Sequence, residues 1–263
     1  MKRTVWIGLL ILVAMFATLA CGIANLATTS GSGRVVEEER EISNVTSVEL
    51  ATVGTLYVEF GEEESLTIEA DDNILEYIET TVWNDKLTIT MRGVNISIHR
   101  PIVYRLVVPT LERIELSSSG DAFVADLETG DFTVRLSSSG DLEMGALTAE
   151  TVDLGLSSSG DAQFDDLYAG RLEAHLSSSG DVEIDGGRVD RQDVSLTSSG
   201  DYIARDMSSV EAYVSCSSSG DATIRVSDRL EARSSSSGDI NYYGNPVVES
   251  HTTSSGDVNR IGN

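Results

Sequence analysis

The sequence predicts an all-β protein, a single-stranded parallel β-helix (β-solenoid) with about 20 residues per coil, preceded by an irregular β capping region. The first observation is a fixed period. The pair Gly-Asp recurs at 120/121, 140/141, 160/161, 180/181, 200/201, 220/221, 238/239 and 256/257, so the spacing is constant up to 220/221 and slightly shorter in the last two units. Such a period indicates stacked units that cannot bury their apolar faces alone.

Two further observations support this fold class. Apolar and polar residues alternate within each unit, which is the pattern of strands with one buried face. The unit is also too short for the alternatives, since a βαβ unit needs about 30 residues and a propeller blade about 40. A parallel solenoid, with one coil for each unit, is the architecture that remains.

Four positions of each unit, counted from its Asp as position 1, carry apolar side chains. Positions 2 and 4 hold Ala122 and Val124 in the first unit, and positions 14 and 16 hold Val134 and Leu136. We expect all four positions to face the core. Neighbouring coils lie about 4.8 Å apart, so each position becomes a column of side chains along the axis. Cys216 replaces Leu at position 16, and we interpret it as a small buried apolar residue.

Each unit ends in the corner Ser-Ser-Ser-Gly or a near copy of it. Gly at a sharp corner indicates backbone with positive φ, which Gly adopts freely. The Asp that follows can accept hydrogen bonds from nearby backbone amides. The middle Ser shares parity with positions 14 and 16, so we expect its hydroxyl to point inward and to bond to its copies in neighbouring coils. These residues are Ser118, Ser138, Ser158, Ser178, Ser198 and Ser218.

The region before the repeats also predicts strands, because it contains alternating segments rich in β-branched residues. These segments are Ser47–Leu50, Leu56–Phe60, Leu66–Ala70, Leu87–Met91 and Val103–Val108. A helical turn is expected within residues 72–77. Residues 54–60 are interpreted as a hairpin arm that caps the first coil, which protects its open edge. At the other end, Arg260 replaces an apolar residue of position 4 and predicts a polar capping coil.

The N-terminus has the pattern of an export signal. Lys2 and Arg3 precede an apolar run from Val5 to Ala20. The letters Thr-Leu-Ala-Cys at 18–21 are similar to a bacterial lipobox, although Thr stands where Leu is usual, and they predict lipidation of Cys21. Two alternatives stay open: an uncleaved anchor over residues 5–27, which is long enough to span a bilayer, and simple secretion. All three place the rest of the chain outside the cytoplasmic membrane.

The expected organisation follows from these segments. Residues 1–20 form a signal peptide or membrane anchor, and 21–33 a flexible tether. Residues 34–116 form an N-terminal β region that begins the solenoid, and 117–263 form the regular repeat. The net charge of −25 argues against nucleic acid, because phosphate binding needs a basic patch. The acidic surplus instead favours solubility of an extended β protein.

The Asp that opens each unit is the most conspicuous candidate for chemistry, because stacking turns it into a line of carboxylates. Two unit charges at this spacing repel by about 1 kcal/mol in water. Amide hydrogen bonds are the expected compensation. The alternative is weak calcium binding, since calcium prefers oxygen ligands, and the candidate metal ligands are Asp141, Asp161, Asp181 and Asp201. The sequence predicts no catalytic residue and no cofactor.

Other columns predict surface rather than a site. Outward position 13 is acidic, and position 15 carries Arg, His and Ser, which favours a solvated, ion-paired face. His175 and His251 share a column four coils apart, too far to hold one zinc ion. Aromatic residues on a solenoid face can stack on sugars, but core packing or end capping is the main interpretation of Tyr202, Tyr213, Tyr242 and Tyr243.

The early strands, the Val107-Val108-Pro109 step, the recurring Ser-Gly corners and the closing Tyr242-Tyr243-Gly244-Asn245-Pro246 together resemble a known family. The chain is similar to the auto-transporter adhesin head GIN domain family of bacterial envelope proteins over roughly residues 40–250. The resemblance implies a β-helical fold and an exported, often lipid-anchored protein. It implies no catalytic residues.

We therefore predict a non-enzymatic module anchored in the bacterial cell envelope, adhesin-like, that binds a glycan or envelope protein through its surface. A structural or sensory partner of an envelope membrane protein is the alternative. A polysaccharide-active enzyme is the third interpretation, which the short corners disfavour because such enzymes need a groove with placed carboxylates. The membrane contact is predicted through the N-terminal lipid or anchor.

Overall fold

The computed structural model describes residues 29–93 and 96–263. Cys21, the proposed export segment and most of the tether lie outside these residues. The strands are β1 Thr29–Ser30, β2 Val35–Arg40, β3 Ser47–Ala51, β4 Thr55–Phe60, β5 Ser65–Asp71, β6 Ile78–Trp83, β7 Lys86–Met91, β8 Ile96–Ser97, β9 Val103–Val108, β10 Arg113–Leu116 and β11 Asp121–Val124. They continue with β12 Leu127–Glu128, β13 Asp131–Leu136, β14 Leu142–Leu156, β15 Ala162–Leu176, β16 Val182–Ile184, β17 Gly187–Leu196, β18 Tyr202–Cys216, β19 Ala222–Ser234, β20 Ile240–Tyr243, β21 Val247–Thr252 and β22 Val258–Gly262.

The predicted fold class is confirmed, because equivalent positions of successive repeats pair as parallel strands. Leu142 is opposite Ala162 and Ala162 is opposite Val182, each one repeat further along the chain. The shorter repeats keep the same pairing, with Ala222 opposite Ile240. The predicted helical turn is a short 3-10 helix, Leu75–Tyr77. Across the described ranges, no helix is long and apolar enough to cross a membrane.

Two long stacks of strands run along the solenoid, and a shorter parallel ladder at positions 7–9 joins β12 to the middle parts of β14 and β15 and to β17. Stack A contains positions 2–4 of each coil and includes β9, β4, β11, the first parts of β14, β15, β18 and β19, and the strands β16, β20 and β22. Stack B contains positions 11–16 and includes β7, β3, β10, β13, the later parts of β14, β15, β17, β18 and β19, and β21. The corner Ser-Ser-Ser-Gly joins the end of stack B to the start of stack A in each coil.

The core lies between the stacks, and all four predicted inward positions are buried. In one coil these are Leu142, Met144, Leu154 and Leu156. Two further inward positions, 7 and 12, hold Leu147 and Val152 in the same coil. Position 12 extends the alternation of positions 14 and 16 by one step. Position 7 is odd-numbered, whereas the other inward positions are even-numbered, because the chain bends on either side of it. A strict alternation of inward and outward residues therefore does not predict the column of buried residues at position 7.

The corner glycines are needed for close approach rather than for a positive φ. The positive-φ glycines of the described ranges are Gly33, Gly54, Gly93, Gly187 and Gly244, none of which follows a Ser-Ser corner. A Cβ atom on any corner glycine from 140 to 256 would instead overlap the carbonyl oxygen of the corner glycine one coil earlier. The expectation of positive φ was wrong, because the constraint comes from the neighbouring coil.

The expected ladder of middle serines was also wrong. Ser118 and its equivalents are half-buried, and within the described residues no hydroxyl–hydroxyl bond joins them. The first residue of the corner makes the contact between coils. Its hydroxyl donates to the carbonyl oxygen at position 16 of the previous coil, over 3.3–3.4 Å, from Ser157, Ser177, Thr197 and Ser217. A carbonyl oxygen with a free lone pair is a better acceptor than a distant hydroxyl.

The five predicted N-terminal strands are present as β3, β4, β5, β7 and β9. The interpretation of residues 54–60 as a hairpin arm was wrong. Leu56 in β4 lies opposite Ala122 on one side and Tyr104 on the other, both in parallel register, so β4 is an ordinary rung. After this rung the chain does not form the next rung at once, because β10 and β11 stack on β3 and β4 only after residues 61–112 have extended the solenoid on its N-terminal side. The intervening residues form another rung, β7 with β9, and the strands β5 and β6 pair antiparallel on it.

Four strands lie at the two ends of the solenoid, and each pairs on one side within the described ranges. Strands β2 and β6 form the N-terminal end, paired with β5 and β7 respectively. Strands β21 and β22 form the C-terminal end, paired with β19 and β20. Arg260 is exposed there, as a polar cap requires, but Val247, Val248 and Ile261 are exposed as well. The C-terminal end of the solenoid is thus less polar than the sequence led us to expect.

Candidate functional site

The Asp column forms a ladder of charge-assisted hydrogen bonds. In seven consecutive steps, Oδ1 of one Asp accepts the backbone N–H of the Asp in the next coil, over 2.7–3.1 Å. Charge-assisted hydrogen bonds are stronger than neutral ones and offset the repulsion between neighbouring carboxylates. The predicted compensation by amides is therefore present, and each donor is the amide of the next Asp.

The four candidate calcium ligands are consecutive members of this ladder. Each of Asp141, Asp161, Asp181 and Asp201 uses Oδ1 for an amide of the following coil. Among the residues that the structure describes, no group of three or more His, Cys, Asp or Glu side chains is arranged to hold a metal ion. Weak calcium binding stays a prediction, and a melting experiment with calcium and a chelator tests it.

The outward face of stack B is covered by ion pairs. Arg171 contacts both Glu173 and Asp193 at 2.8 Å, and Arg191 contacts Asp193 at 2.8 Å. Arg135, two coils before Arg171, pairs with Asp153. The acidic column at position 13 is thus neutralised by arginines of its own face. Exposed pairs of this kind contribute about 0–1 kcal/mol each, so the face is a solvated surface.

The outward face of stack A carries an unusual aromatic group near the N-terminal end. Tyr57 and Phe123 lie on neighbouring strands, with ring centroids 5.2 Å apart and planes inclined by 16°. The guanidinium of Arg105, on the strand beyond Tyr57, lies 5.4 Å from the centroid of the Tyr57 ring. We call Arg105, Tyr57 and Phe123 the aromatic ledge. Its members occupy the same outward row on β9, β4 and β11.

Polar groups continue the row beyond the ledge. Glu143 and Gln163 follow Phe123 in register on the next two coils. A shallow groove of about 390 Å³ runs along Tyr57, Phe123 and these two residues and is also lined by Glu59 and Asp165. The groove therefore places flat aromatic surface beside carboxylate and amide groups, while remaining open to solvent.

Sequence reasoning missed the aromatic ledge. Tyr57 lies far before Phe123 in the chain, and no repeat motif marks β4 as a rung. The signal that could have found it is the alternation in Leu56-Tyr57-Val58, which matches Ala122-Phe123-Val124 position by position.

The tyrosines that the sequence singled out have structural surroundings, and Tyr242 packs partly buried against the core. Tyr202 is buried, and its hydroxyl donates to Oε1 of Gln192 at 3.1 Å. Tyr213 and Tyr243 are covered by the guanidinium groups of Arg233 and Arg225, at 5.5 and 4.9 Å from the ring centroids. Trp83 is different, because 78% of its surface is exposed at the tip of the β6–β7 hairpin.

A buried polar cluster lies inside the core around Gln192, which takes position 12. Its Nε2 donates to Oγ of Ser209 at 2.8 Å, and Ser209 Oγ donates to the carbonyl oxygen of Arg225 at 2.8 Å. Together with the hydroxyl of Tyr202, these contacts satisfy the buried amide. The cluster therefore ties three coils together through hydrogen bonds and presents no reactive group.

The remaining candidates for chemistry are inert or separate. Burial raises the pKa of the Cys216 thiol to about 12, and the carboxylates of Asp221, Asp239 and Asp201 add to the shift. The thiol is therefore protonated, in agreement with a small core residue. His175 and His251 occupy the same outward column four coils apart, as predicted.

Comparison with known proteins identifies the family. The family described as "Putative auto-transporter adhesin, head GIN domain" matches residues 44–246, which is most of the chain. The chain belongs to this family. The match includes both rings of the aromatic ledge and every Gly-Asp corner except the last, at 256/257. No curated protein matches the chain.

Solved structures share the GIN domain fold. A "putative adhesin" from Parabacteroides distasonis has a TM-score of 0.83 at 20% identity, covering 88% of this chain and 98% of its own. A "putative adhesin" from Parabacteroides merdae has 0.81 at 18% identity, covering 89% and 99%. A "Putative lipid binding protein" from Parabacteroides distasonis has 0.78 at 21% identity, covering 89% and 99%. At these identities the likeness shows the fold alone.

Proposed function

We propose that the protein is an adhesin-like binding module of the bacterial envelope that holds glycans on its aromatic ledge. The observation that carries this proposal is the stacked pair Tyr57 and Phe123, partly exposed beside a polar groove on the outward face of stack A. Sugar rings have an apolar face of C–H groups that packs on aromatic rings, and a rim of hydroxyls that needs hydrogen-bond partners. The rings of Tyr57 and Phe123 supply the apolar surface, and Glu143 and Gln163 in the same row supply hydrogen-bond partners.

The electrostatics of the row favour a neutral or basic sugar. Glu59, Glu143 and Asp165 line the groove and accept hydrogen bonds from hydroxyl or amino groups, while Gln163 can also donate. The guanidinium of Arg105 is engaged over the Tyr57 ring and near Glu69, at 3.9 Å, which keeps that ring in place. A groove of about 390 Å³ suits one or two sugar rings.

The proposed export of the chain would place this site outside the cytoplasmic membrane. We propose that the N-terminal segment exports the chain and anchors it through a lipid on Cys21. Lys2, Arg3 and the apolar run after them support this part of the proposal. This anchor would place the ledge, which lies on the rungs nearest the N-terminus, outside the cytoplasmic membrane. Catalysis has no part in this function.

A glycan array probed with the full chain in detergent tests the proposal. We expect saturable binding to a subset of neutral or amino sugars without product formation. Phe123→Ala should weaken that binding at least ten-fold, because stacking contacts on aromatic rings contribute about 1–3 kcal/mol each. Tyr168→Ala is the matched control, since Tyr168 is an exposed aromatic residue outside the ledge. Binding that both variants retain equally would contradict the proposal.

The same experiment separates the other candidate functions. Release of a shortened sugar would indicate a polysaccharide-active enzyme. Co-purification of one membrane protein from envelope extracts, with no glycan bound, would indicate a structural or sensory partner of that protein. Either result would replace the adhesin-like function proposed here.

A further inference from the structure

The N-terminal end of the solenoid is stepped, because stack A is one rung longer than stack B there. Beyond β4, stack A continues with β9, β5 and β2, whereas stack B continues beyond β3 with β7 and β6. Strand β2 therefore has no counterpart in stack B among the residues that the structure describes. The free edge of β6 faces a place for one further strand, about 4.8 Å away, which is the usual spacing between strands.

The backbone of β6 presents unpaired hydrogen-bonding groups to this place. Asn84 and Asp85 have φ of 46° and 61°, as in the two-residue type I′ turn of a hairpin. Such a turn is closed by hydrogen bonding between its two flanking residues, here Trp83 and its partner on β7. Because alternate residues of β6 bond to β7, the N–H and C=O groups of Thr80 and Val82 point to the free edge. Unpaired groups in such a row are a template for another strand.

The side chains of β6 leave this edge open to pairing. The strand contains no Lys and no Pro, the residues that commonly protect an exposed edge. Thr80 and Val82 face inward, since their partners Ile89 and Leu87 are buried. Val82 is nevertheless 37% exposed, and the neighbouring Trp83 is 78% exposed. An added strand would cover Val82 with its own inward side chains and would lie beside Trp83.

A groove of about 810 Å³ lies next to the same edge. Thr80 and Val82 of β6 form one side of it, and its apolar lining includes the core residues Leu66 and Leu87. The end of β2 and the residues after it, 39–43, form the other side. This volume is within the usual range of binding pockets. The groove would receive the inward side chains of a strand paired with β6.

The charges of the groove favour a cationic occupant. Glu39, Glu41 and Glu64 line it. Arg40, the basic residue of the lining, contacts Glu38 at 2.8 Å and is thereby neutralised. Within the described ranges, no ion pair includes Glu39 or Glu41, and both are exposed. Such charges act over about 8–10 Å at physiological salt. A second copy of the chain is disfavoured as the occupant, because its net charge is −25.

We propose that the free edge of β6 binds an extended basic segment of a partner protein by β-strand addition. The added strand supplies the rung that stack B lacks opposite β2, so main-chain hydrogen bonds give affinity and alternate side chains give specificity. The segment carries apolar residues at the positions that face the groove and Lys or Arg at the others. The groove is separate from the aromatic ledge, which lies on the outward face of stack A, so this inference does not depend on glycan binding.

Fluorescence anisotropy of a labelled peptide tests the proposal with the full chain in a non-ionic detergent. The probe is a capped peptide of alternating Val and Lys, matched in length to β6, which has six residues. We expect saturable binding that Val82→Lys weakens about ten-fold or more, because the change removes an apolar contact and adds a repelling charge. Val53→Lys is the matched control. Val53 has nearly the same exposure, 36% against 37%, but lies outside the end strands and the groove.

N-methylated peptides test whether the backbone of the probe pairs with β6. Alternate residues of a strand direct their N–H groups to opposite sides, so a peptide bound along a single edge uses only one set of them. Methylation of the Val amides or of the Lys amides removes one set each and leaves the protein unchanged. We expect one of the two peptides to bind about ten-fold more weakly or worse, because several hydrogen bonds are lost together. The other should bind nearly as well as the parent peptide.

Neutralising the acidic side of the groove tests the charge preference. The double variant Glu39→Gln with Glu41→Gln should weaken binding of the Val-Lys peptide several-fold, and more at low salt than at high salt. The control is Glu128→Gln with Glu150→Gln, which has the same net charge. Glu128 and Glu150 are exposed and lie outside the groove, so this control should bind like the parent chain.

Four outcomes would overturn the proposal. The first is no saturable binding, or equal binding of a peptide of alternating Val and Glu. The second is an equal loss with both N-methylated peptides, which would exclude pairing along one edge. The third is equal binding by Val82→Lys and Val53→Lys while circular dichroism shows that both are folded, which would place the peptide elsewhere on the acidic surface. The fourth is a dimer in sedimentation that Val82→Lys abolishes, together with no peptide binding, which would assign the edge to a second copy.

Discussion

The carboxylate of Asp181 accepts a hydrogen bond from the backbone amide of Asp201, one coil further along, at 2.7 Å. The same contact joins Asp161 to Asp181 at 2.8 Å. Each Asp is thus a donor through its amide and an acceptor through its side chain. This relationship explains how a line of like charges can persist, because every carboxylate in the interior of the line has a fixed N–H to stabilise it.

Replacing one member of the ladder should separate hydrogen bonding from charge. Asp181→Ala removes the acceptor for the Asp201 amide and should lower the free energy of unfolding by about 1–2 kcal/mol. Asp181→Asn keeps an acceptor oxygen and removes one like charge, so we expect it to be neutral or slightly stabilising. Urea denaturation followed by circular dichroism measures both. Equal stability of Asp181→Ala and the parent chain would show that the ladder contributes nothing.

Calcium should have little effect on the melting temperature. Oδ1 of the ladder carboxylates is already bonded to an amide, and ligand binding stabilises a protein only as far as its concentration exceeds the dissociation constant. We expect millimolar calcium and a chelator to give melting temperatures within about 2 °C of each other. Magnesium at equal ionic strength is the control. A rise of many degrees with calcium alone would assign the Asp column as a cation site.

A methyl group at the corner should be strongly destabilising. In Gly160→Ala, the new Cβ would overlap the carbonyl oxygen of Gly140, which is backbone and cannot rotate away. We expect a loss of about 1–3 kcal/mol or more, as for overpacked cores. Gly130→Ala is the matched control, since its Cβ would meet nothing within 4 Å. Thermal denaturation of the two variants side by side checks this, and equal melting temperatures would contradict it.

The buried cluster around Gln192 should be sensitive to loss of one hydroxyl. Tyr202→Phe removes the donor to Gln192 Oε1 and leaves a buried acceptor without a partner, which costs about 1–3 kcal/mol. The exposed Tyr168→Phe should be neutral. The double variant Tyr202→Phe with Gln192→Leu should recover most of the loss, because other coils carry an apolar residue at position 12. A double variant less stable than Tyr202→Phe would show that the amide has another role.

Stability at low pH should depend on Lys86, which contacts Glu49 at 2.8 Å and Glu115 at 2.6 Å. Burial alone would raise the pKa of Glu49, but hydrogen bonds from Lys86 and Ser117 outweigh it and lower the pKa below its usual value. A carboxylate with a lowered folded-state pKa contributes stability above its unfolded pKa and loses it as the pH falls through the folded pKa.

Lys86→Gln should therefore shift the onset of acid unfolding to higher pH, since burial then dominates the pKa of Glu49. Melting temperatures between pH 7 and pH 3 measure the shift. Arg92→Gln is the control, because Arg92 pairs with Glu79 at an exposed site, with side-chain exposures of 69% and 47%. The same acid profile for both variants would rule out a role for the Glu49–Lys86 contact.

The regular part of the fold could be predicted because its information is local and repeated. The period of Gly-Asp implies stacking, and alternation around Val134 and Leu136 identifies an inward face without any knowledge of distant contacts. The same reasoning located the carboxylate line and the burial of Cys216. It failed at the corner glycines, because the atom that excludes a side chain there belongs to the neighbouring coil.

The sequence by itself determined the solenoid, its columns and its acidic surface, since each follows from residue type and spacing along the chain. The tertiary structure decided where the aromatic ledge lies and which strands form the ends. Tyr57 meets Phe123 because residues 61–112 form the rung of β7 and β9 on the N-terminal side of β3 and β4, which leaves the other side of β4 free for β11. The Gly-Asp period does not extend through residues 61–112, so spacing along the chain could not relate Tyr57 to Phe123. Only the pairing of β4 with β11 brings the two rings together.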